Sequence, residues 1–225
     1  MLKKVNIAID GPAGAGKSTI ARTVSETLGF IYLDTGAMYR AVALKAIRQG
    51  INTRDLNALS ELVKNIDVRI FYAANEQRVL LDNEDVTCEI RTPEISIAAS
   101  DVAAVPEVRI KMVELQRDIA KANDVVMDGR DIGSYVLPDA DVKIYLTATV
   151  EARALRRFNE QADKGIKAAS IEEVMKDIEY RDRNDSTREF APLVKAGDAV
   201  EIDTTHMSVR EVVNKIISLI KEQST

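Results

Sequence analysis

The chain has 225 residues, 46% of them hydrophobic, and its 31 basic against 36 acidic side chains leave a net charge of −5. That balance argues against a nucleic-acid surface, and no apolar run is long enough to span a bilayer. One Cys and one His argue against a disulfide framework, a His/Cys zinc cluster and a Cys–His nucleophile pair, which leaves a cytoplasmic globular protein as the expectation.

Val5–Asp10 is a short apolar run that suits a buried strand. It ends the stretch MLKKVNIAID, which reads as no secretory signal because the glycine-rich loop begins only ten residues in. Gly11 and Pro12 break the strand. From there the residues Gly11, Pro12, Ala13, Gly14, Ala15, Gly16, Lys17 and Ser18 read G-x-x-x-x-G-K-S, with Thr19 next. A helical pattern runs from about Lys17 to Leu28 and stops at Gly29. Strand, glycine-rich loop and helix are the context of a phosphate loop. Its backbone N–H groups form an anion-binding hollow, Lys17 brings a charge to the terminal phosphates, and Ser18 offers a hydroxyl to magnesium. A nucleoside triphosphate is the expected ligand.

Phe30–Leu33 suits a second strand ending at Asp34. A helix follows from about Gly36 to Gln49, stopped by Gly50. Arg40 lies one turn into it, near the strand end, where ligand crevices of open α/β sheets lie; a solvated helix arginine is the bland alternative. Asp55–Asn65 reads as another helix. Val68–Tyr72 and Arg78–Leu81 alternate like strands around the polar turn Ala74-Asn75-Glu76, and Asp82-Asn83 signals a second turn. Pro93 and Pro106 bracket Glu94–Val105, an irregular or short helical stretch. Val108–Lys121 is helical, with Val108, Met112, Leu115 and Ile119 on one face. Cys88 and His206 read as incidental.

Val125–Met127 is a third buried strand, and the Asp128 carboxylate at its end is placed to partner the phosphate loop through magnesium. Gly129 opens a turn, with Arg130 and Asp131 at its tip. Charges crowded at a strand end beside a phosphate site favour ligand binding over a structural ion pair. Val142–Leu146 is a fourth strand. Thr149 caps a helix to about Lys164 that carries Arg153, Arg156 and Arg157 on one face. Gly165 ends it, and Ser170 and Glu173 form a capping box for the next helix. There Arg181, Asp185 and Arg188 recur at i, i+4 and i+7. Two basic faces around a Gly/Lys/Ala turn read as an anion-binding lid; two helices laced with salt bridges are the alternative. Pro192 interrupts the helix, Ala199–Ile202 is a fifth strand, and Ser208 with Glu211 caps a closing helix. Its stripe of Val209, Val212, Val213, Ile216, Ile217 and Ile220 reads as core packing.

Six stretches now stand in order over nearly the whole chain: GPAGAGKST, LDTGAMYR, SDVAAVPEVR, MDGRDIG, YRDRNDSTR and IDTTHMSVREV. Together they resemble bacterial cytidylate kinases, and the region of about Ile66–Ala98 resembles the enlarged nucleotide-binding insert of the bacterial members. The resemblance implies an α/β fold, a P-loop three-layer α/β/α domain over 1–225 with a five-stranded parallel sheet. Its core would be 1–34, 105–148 and 190–225. The monophosphate-binding insert, with a small antiparallel sheet, would be about 35–104, and the helical lid about 149–189. It further implies ATP-dependent phosphorylation of CMP and dCMP with Mg²⁺, by a monomer.

By motif position, Gly11–Thr19 resembles the ATP loop, with Arg156 and Arg157 near ATP. Thr35 and Arg40 match acceptor-site residues, and Arg40 would share the acceptor phosphate with Arg130. Ser100, Arg109 and Asp131 match residues that face cytosine. Arg181, Asp185 and Arg188 match those near the ribose and the closed lid. Lys17, Arg40, Arg130 and Asp128 would be the catalytic set, with Ser18 on Mg²⁺. Two other readings stay open on the residues alone: a P-loop kinase acting on AMP, UMP or a hydroxy acid such as shikimate, and a P-loop switch NTPase.

Overall fold

Strand β1 (Asn6–Asp10) has two apolar faces, so it belongs in the middle of a covered sheet. Ile7 and Ile9 point to one side and Ala8 to the other, and all three are buried. The computed structural model describes residues 4–74, 76–163, 165 and 170–223. In it β1 leads through the phosphate loop into α1 (Lys17–Leu28), then β2 (Ile31–Asp34) and α2 (Thr35–Arg48). Next come α3 (Leu56–Lys64), the strands β3 (Val68–Ala73), β4 (Glu76–Leu81) and β5 (Glu84–Asp85), and α4 (Pro93–Val102). The chain continues through α5 (Pro106–Ala122), β6 (Val125–Gly129), β7 (Val142–Thr147), α6 (Val150–Asp163) and α7 (Ile171–Thr187). It closes with β8 (Val200–Asp203) and α8 (Val209–Gln223).

The main sheet is parallel, in the order β2-β6-β1-β7-β8. Helices α1 and α8 cover one face, where Ile20, Val24, Val212, Ile216 and Ile220 meet Ile7, Ile9, Val126, Ile144 and Leu146. Helix α5 covers the other, where Val113 and Ala120 meet Ala8, Leu33, Val125 and Met127. Each buried aliphatic side chain stabilises the sheet by about 1.5–3 kcal/mol relative to exposure. A separate apolar cluster joins α2, α3, α4, β3, β4 and the start of α5. The pair α6 and α7 has its own small cluster, in which Ala154, Val174 and Ile178 enclose Ala13 of the phosphate loop.

Parallel register puts the strand-end carboxylates side by side. Asp34 of β2 is the register partner of Asp128 in β6, and Asp128 faces Ile9, one residue before Asp10. The end of the sheet that carries the phosphate loop therefore also carries these acids.

Several sequence expectations shift. Of the two readings of the stretch bracketed by prolines, irregular or short helical, the structure takes the helical one. Pro93 opens α4, capped by the Thr92 hydroxyl, and Pro106 opens α5, because proline suits a first helical position where no N–H bond is lost. Gly129 is the last residue of β6 rather than a turn, and one wide helical turn follows over Ile132–Val136. The small antiparallel sheet has a third, two-residue strand, β5, beyond the Asp82-Asn83 turn. Helix α7 ends at Thr187, five residues before Pro192, so Arg188 is extended and outside it. Val209 is exposed rather than in the core. Lys164, Asn75 and most of the Gly/Lys/Ala turn lie outside the described residues.

Gly11 is required where it stands. Its φ is +147°, and a Cβ there would sit 2.1 Å from the Leu146 carbonyl oxygen of β7. Gly11→Ala is expected to lower stability by about 2–4 kcal/mol through this clash. Chemical denaturation reads it directly, and a loss near zero would show that the loop can retreat from β7.

Candidate active site

The phosphate loop occupies the β1–α1 connection. The α1 N-terminus has no side-chain cap, which leaves its first N–H groups for an anion. Lys17 Nζ donates to the Pro12 carbonyl at 2.7 Å, holding the ammonium across its own loop. Burial, and then the nearby Arg130, pull the Lys17 pKa well below the usual lysine value. An incoming polyphosphate would reverse that pull.

Ser18 Oγ donates to Asp128 Oδ2 at 3.0 Å, and Tyr32 Oη donates to Asp128 Oδ1 at 2.8 Å. Burial, then the Asp34 charge, push the Asp128 pKa up. A hydroxyl and a carboxylate beside a phosphate hollow are hard oxygen donors. They fit Mg²⁺, which completes its shell with phosphate oxygens and water.

Across the cleft, Asp34 gathers two arginines. Arg40 Nη2 and Arg91 Nη1 both donate to Asp34 Oδ2, at 2.7 and 2.8 Å, while Oδ1 caps α2 by accepting from Ala37 N. Burial alone would raise the Asp34 pKa, but the two guanidinium groups outweigh it and hold the carboxyl below its ordinary range. Asp185 is a second hub. It accepts from Arg130 Nε at 2.8 Å and from Ser100 Oγ at 2.9 Å, and Arg188 lies 3.6 Å away. Burial would raise Asp185 as well, and Arg130, Arg188 and Arg181 reverse it. Asp131 is the third hub. Arg109 Nη1 donates to both its oxygens at 3.2 Å and to Tyr39 Oη at 3.0 Å, and Arg188 lies 3.6 Å from Asp131. Arg109 is only 2% exposed.

On the α6 side, Arg156 Nη1 donates to Thr204 Oγ1 at 3.0 Å, and the exposed Val209 lines the cleft with Met207. Arg153 does not join Arg156 and Arg157 on a ligand-facing surface. It is buried against the phosphate loop, donating to the Ala13 carbonyl at 2.8 Å and to Asp182. Asp182 also accepts from Ala13 N at 2.9 Å, so α7 is tied directly to the loop.

Most of these groups line one cleft of about 520 Å³, while Tyr32, Arg153 and Asp182 stand behind it, and its volume is within the usual range for a small-ligand site. Of the residues singled out in the sequence, Ala13, Gly14, Ala15, Gly16, Lys17, Ser18 and Thr19 line it. So do Thr35, Arg40, Ser100, Arg109, Asp128, Arg130, Asp131, Arg156, Arg157, Arg181, Asp185 and Arg188, whereas Gly11 and Pro12 do not. Arg188 reaches the cleft although it stands beyond the end of α7. Three cleft arginines keep a buried nitrogen with no hydrogen-bond partner among the described residues: Arg40 Nε, Arg181 Nε and Arg188 Nη2. Buried donors of this kind are costly unless something accepts from them.

A family model described as Cytidylate kinase matches residues 7–222. A cytidylate kinase of Caldicellulosiruptor saccharolyticus is 51% identical over 97% of this chain and 96% of its own length. One from Halalkalibacterium halodurans is 50% identical over 99% of this chain and 100% of its own. The chain belongs to the cytidylate kinase family.

Membership makes the chain a phosphotransferase of the nucleoside monophosphate kinase type. A gluconokinase from Sinorhizobium meliloti, at 10% identity, superposes with a TM-score of 0.53 over 98% of this kinase and 93% of that chain, which is a likeness of fold alone. No helix among the described residues is long and apolar enough to cross a membrane.

Sequence reasoning passed over four residues of the kinase's cleft and its supports. Asp34 was taken only as a strand end, although a buried acid opening TGAMYR was a signal. Arg91 stands next to a helix cap, in a stretch with no motif. Tyr39 was hidden in an apolar helix face. Asp182 sits inside YRDRNDSTR, where the arginines drew attention.

Asp34 predicts a pH dependence. Its folded pKa lies below the unfolded value of about 4, so its contribution is full above that pH and is lost as pH falls below it. Asp34→Asn is expected to cost about 1–3 kcal/mol at pH 7 and progressively less in acid. Unfolding midpoints between pH 2.5 and 7 check this; a penalty that stays constant would show that Asp34 is not held ionised by its arginines.

Proposed function

We propose that this chain transfers the γ-phosphoryl group of ATP to CMP and dCMP, yielding CDP and dCDP with ADP. One observation carries the reading beyond family membership. Arg40, Arg181 and Arg188 hold buried N–H groups with no hydrogen-bond partner among the described residues, in the same cleft as the phosphate loop. A cleft of that kind suits two anionic nucleotides.

The acceptor oxygen belongs to a phosphate, which is anionic near neutral pH, so it needs little help from a general base. The nucleophile attacks γ-phosphorus in line as the bond to ADP breaks. The protein's task is to offset repulsion between two polyanions. Lys17 and the backbone of residues 13–19 take the donor phosphates, and Arg40 and Arg130 take the acceptor phosphate. Arg156 and Arg157 on α6 approach the donor. Ser18 and Asp128 would hold Mg²⁺, which would supply positive charge to offset that of the donor phosphates. In this reading residues 35–104 form the acceptor insert and 149–189 the lid, and closure excludes water so that transfer outruns hydrolysis. The reading is of a cytoplasmic monomer, as the family resemblance implies.

Base choice follows from hydrogen-bond direction. Cytosine offers acceptors at O2 and N3 and a donor amine at C4. Arg109 spends Nε on the Ala103 carbonyl and Nη1 on Tyr39 and Asp131, leaving Nη2 to face the ring acceptors. Asp131 or Ser100 would take the amine. Uracil turns N3 into a donor facing the guanidinium, and a site with a buried unpaired partner rejects such an analogue by roughly 10⁴-fold. Thr35 Oγ1 donates to the Asp128 carbonyl at 2.8 Å and so joins the acceptor side to the metal side. A small hydroxy-acid acceptor would not need the Ser100, Arg109 and Asp131 set with the insert.

An acceptor panel with Mg-ATP, following ADP release, is the direct test. Expected is fast turnover with CMP and dCMP, weak turnover with UMP, none with shikimate, and loss of at least about 10³-fold in Lys17→Ala. Fast turnover with another acceptor would overturn the base assignment, and acceptor-independent hydrolysis alone would favour a switch NTPase. Separately, Arg109→Met is expected to raise the CMP KM by tens-fold or more while moving the ATP KM little. Equal losses for both nucleotides would remove Arg109 from base reading.

A further inference from the structure

Arg181 and Asp185, which the family resemblance places near the ribose of the monophosphate, both ride on α7. Arg181 Nε has no partner among the described residues, so its position is set by the helix that carries it rather than by its own bonds. Successive residues of α7 point three ways. Asp182 accepts from Ala13 N in the phosphate loop, Arg181 lines the cleft, and Tyr180 turns to α4.

There Tyr180 Oη donates to Asp101 Oδ1. Asp101 is 8% exposed, and its Oδ2 also accepts from Thr53 Oγ1 at 3.0 Å, with Arg54 Nε at 3.5 Å. The Arg54 guanidinium lies over the Tyr180 ring, 5.5 Å from its centre. One residue away, Asn184 Nδ2 donates to the Ser100 carbonyl at 2.8 Å and to Ser100 Oγ at 3.0 Å. Tyr180 and Asn184 are i and i+4 on one helix face. Arg181 and Asp185 are i and i+4 on the face next to it, about 100° round the axis.

We infer that Asp101 and Tyr180 are positioning residues for the acceptor: their bond fixes the rotation of α7 against α4 and so sets Arg181 and Asp185 in the cleft. Thr53 and Arg54 hold the Asp101 carboxylate ready for the tyrosine. A partly desolvated hydrogen bond to a carboxylate is strong enough for its loss to change an equilibrium about tenfold or more. The donor site keeps its own tie to α7 through Asp182, so the loss falls on the acceptor. The inference rests on the proposed role of Arg181 and Asp185 toward the monophosphate.

The test is steady-state kinetics of Tyr180→Phe, Asp101→Asn and the double variant, varying each nucleotide in turn. Expected is a CMP KM raised about tenfold, an ATP KM within about twofold of wild type, and a double variant no worse than either single one. A CMP KM within about twofold of wild type in Tyr180→Phe overturns the inference. So do additive losses, or an equal rise in both KM values, which is what a general structural defect would give. Tyr180→Phe removes one oxygen from a half-buried ring and decides the matter if Asp101→Asn fails to fold. Wild type in the same assay keeps the two readings apart: an enzyme inactive on CMP overturns the function, while an active one with unaltered variants overturns only the clasp.

Discussion

A cleft that accepts two polyanions has to hold its arginines apart before either arrives. Here the carboxylates do this. Asp34 holds Arg40 and Arg91, Asp185 holds Arg130, and Asp131 holds Arg109. None of these pairs is strong evidence of stability, because desolvation offsets much of the attraction of a buried ion pair. Their effect is organisation. Each guanidinium is oriented by its bonds to the protein, and on Arg40 and Arg188 a further buried nitrogen has no hydrogen-bond partner among the described residues. Ligand phosphates would then complete a network instead of building one.

The sheet makes that arrangement inexpensive. Parallel strands all deliver their ends to the same side, and register sets Asp34 beside Asp128. The phosphate loop leaves the central strand there, so its helix N-terminus faces the same space as the acids. Gly11 allows the loop to start hard against β7, where a side chain would collide with the Leu146 carbonyl. The loop is then gripped from the side of α6 and α7, where Asp182 and Arg153 bind opposite ends of Ala13.

Helix α7 links the two halves of the cleft. It touches the phosphate loop through Asp182 and α4 through Tyr180 and Asn184, and it presents Arg181 and Asp185 between them. A change at either nucleotide site meets the same rigid element.

Local chemistry made part of this legible from residues alone. The phosphate loop, the alternating β/α pattern, the antiparallel hairpin and the Ser170–Glu173 and Ser208–Glu211 caps depend on neighbours a few positions apart, so spacing suffices to read them. The arginines of the cleft other than Arg91 were visible as a set. Which of them face the cleft was not. Arg153 and Arg156 share a helix face, yet Arg153 is buried against Ala13 while Arg156 lines the cleft, because the phosphate loop crosses that face. Arg188 continues the helical spacing of Arg181 and Asp185 but reaches the cleft from an extended backbone. Arg91 stands in no motif, and Tyr180, although it opens YRDRNDSTR, shows no partner there, since Asp34 and Asp101 lie 57 and 79 residues away. The sequence by itself determined the phosphate loop, the strand ends and the supply of charge, because these follow from residue type and short-range spacing. Only the tertiary structure decided which charge meets which, because that depends on strand register and on helix packing between segments far apart in the chain.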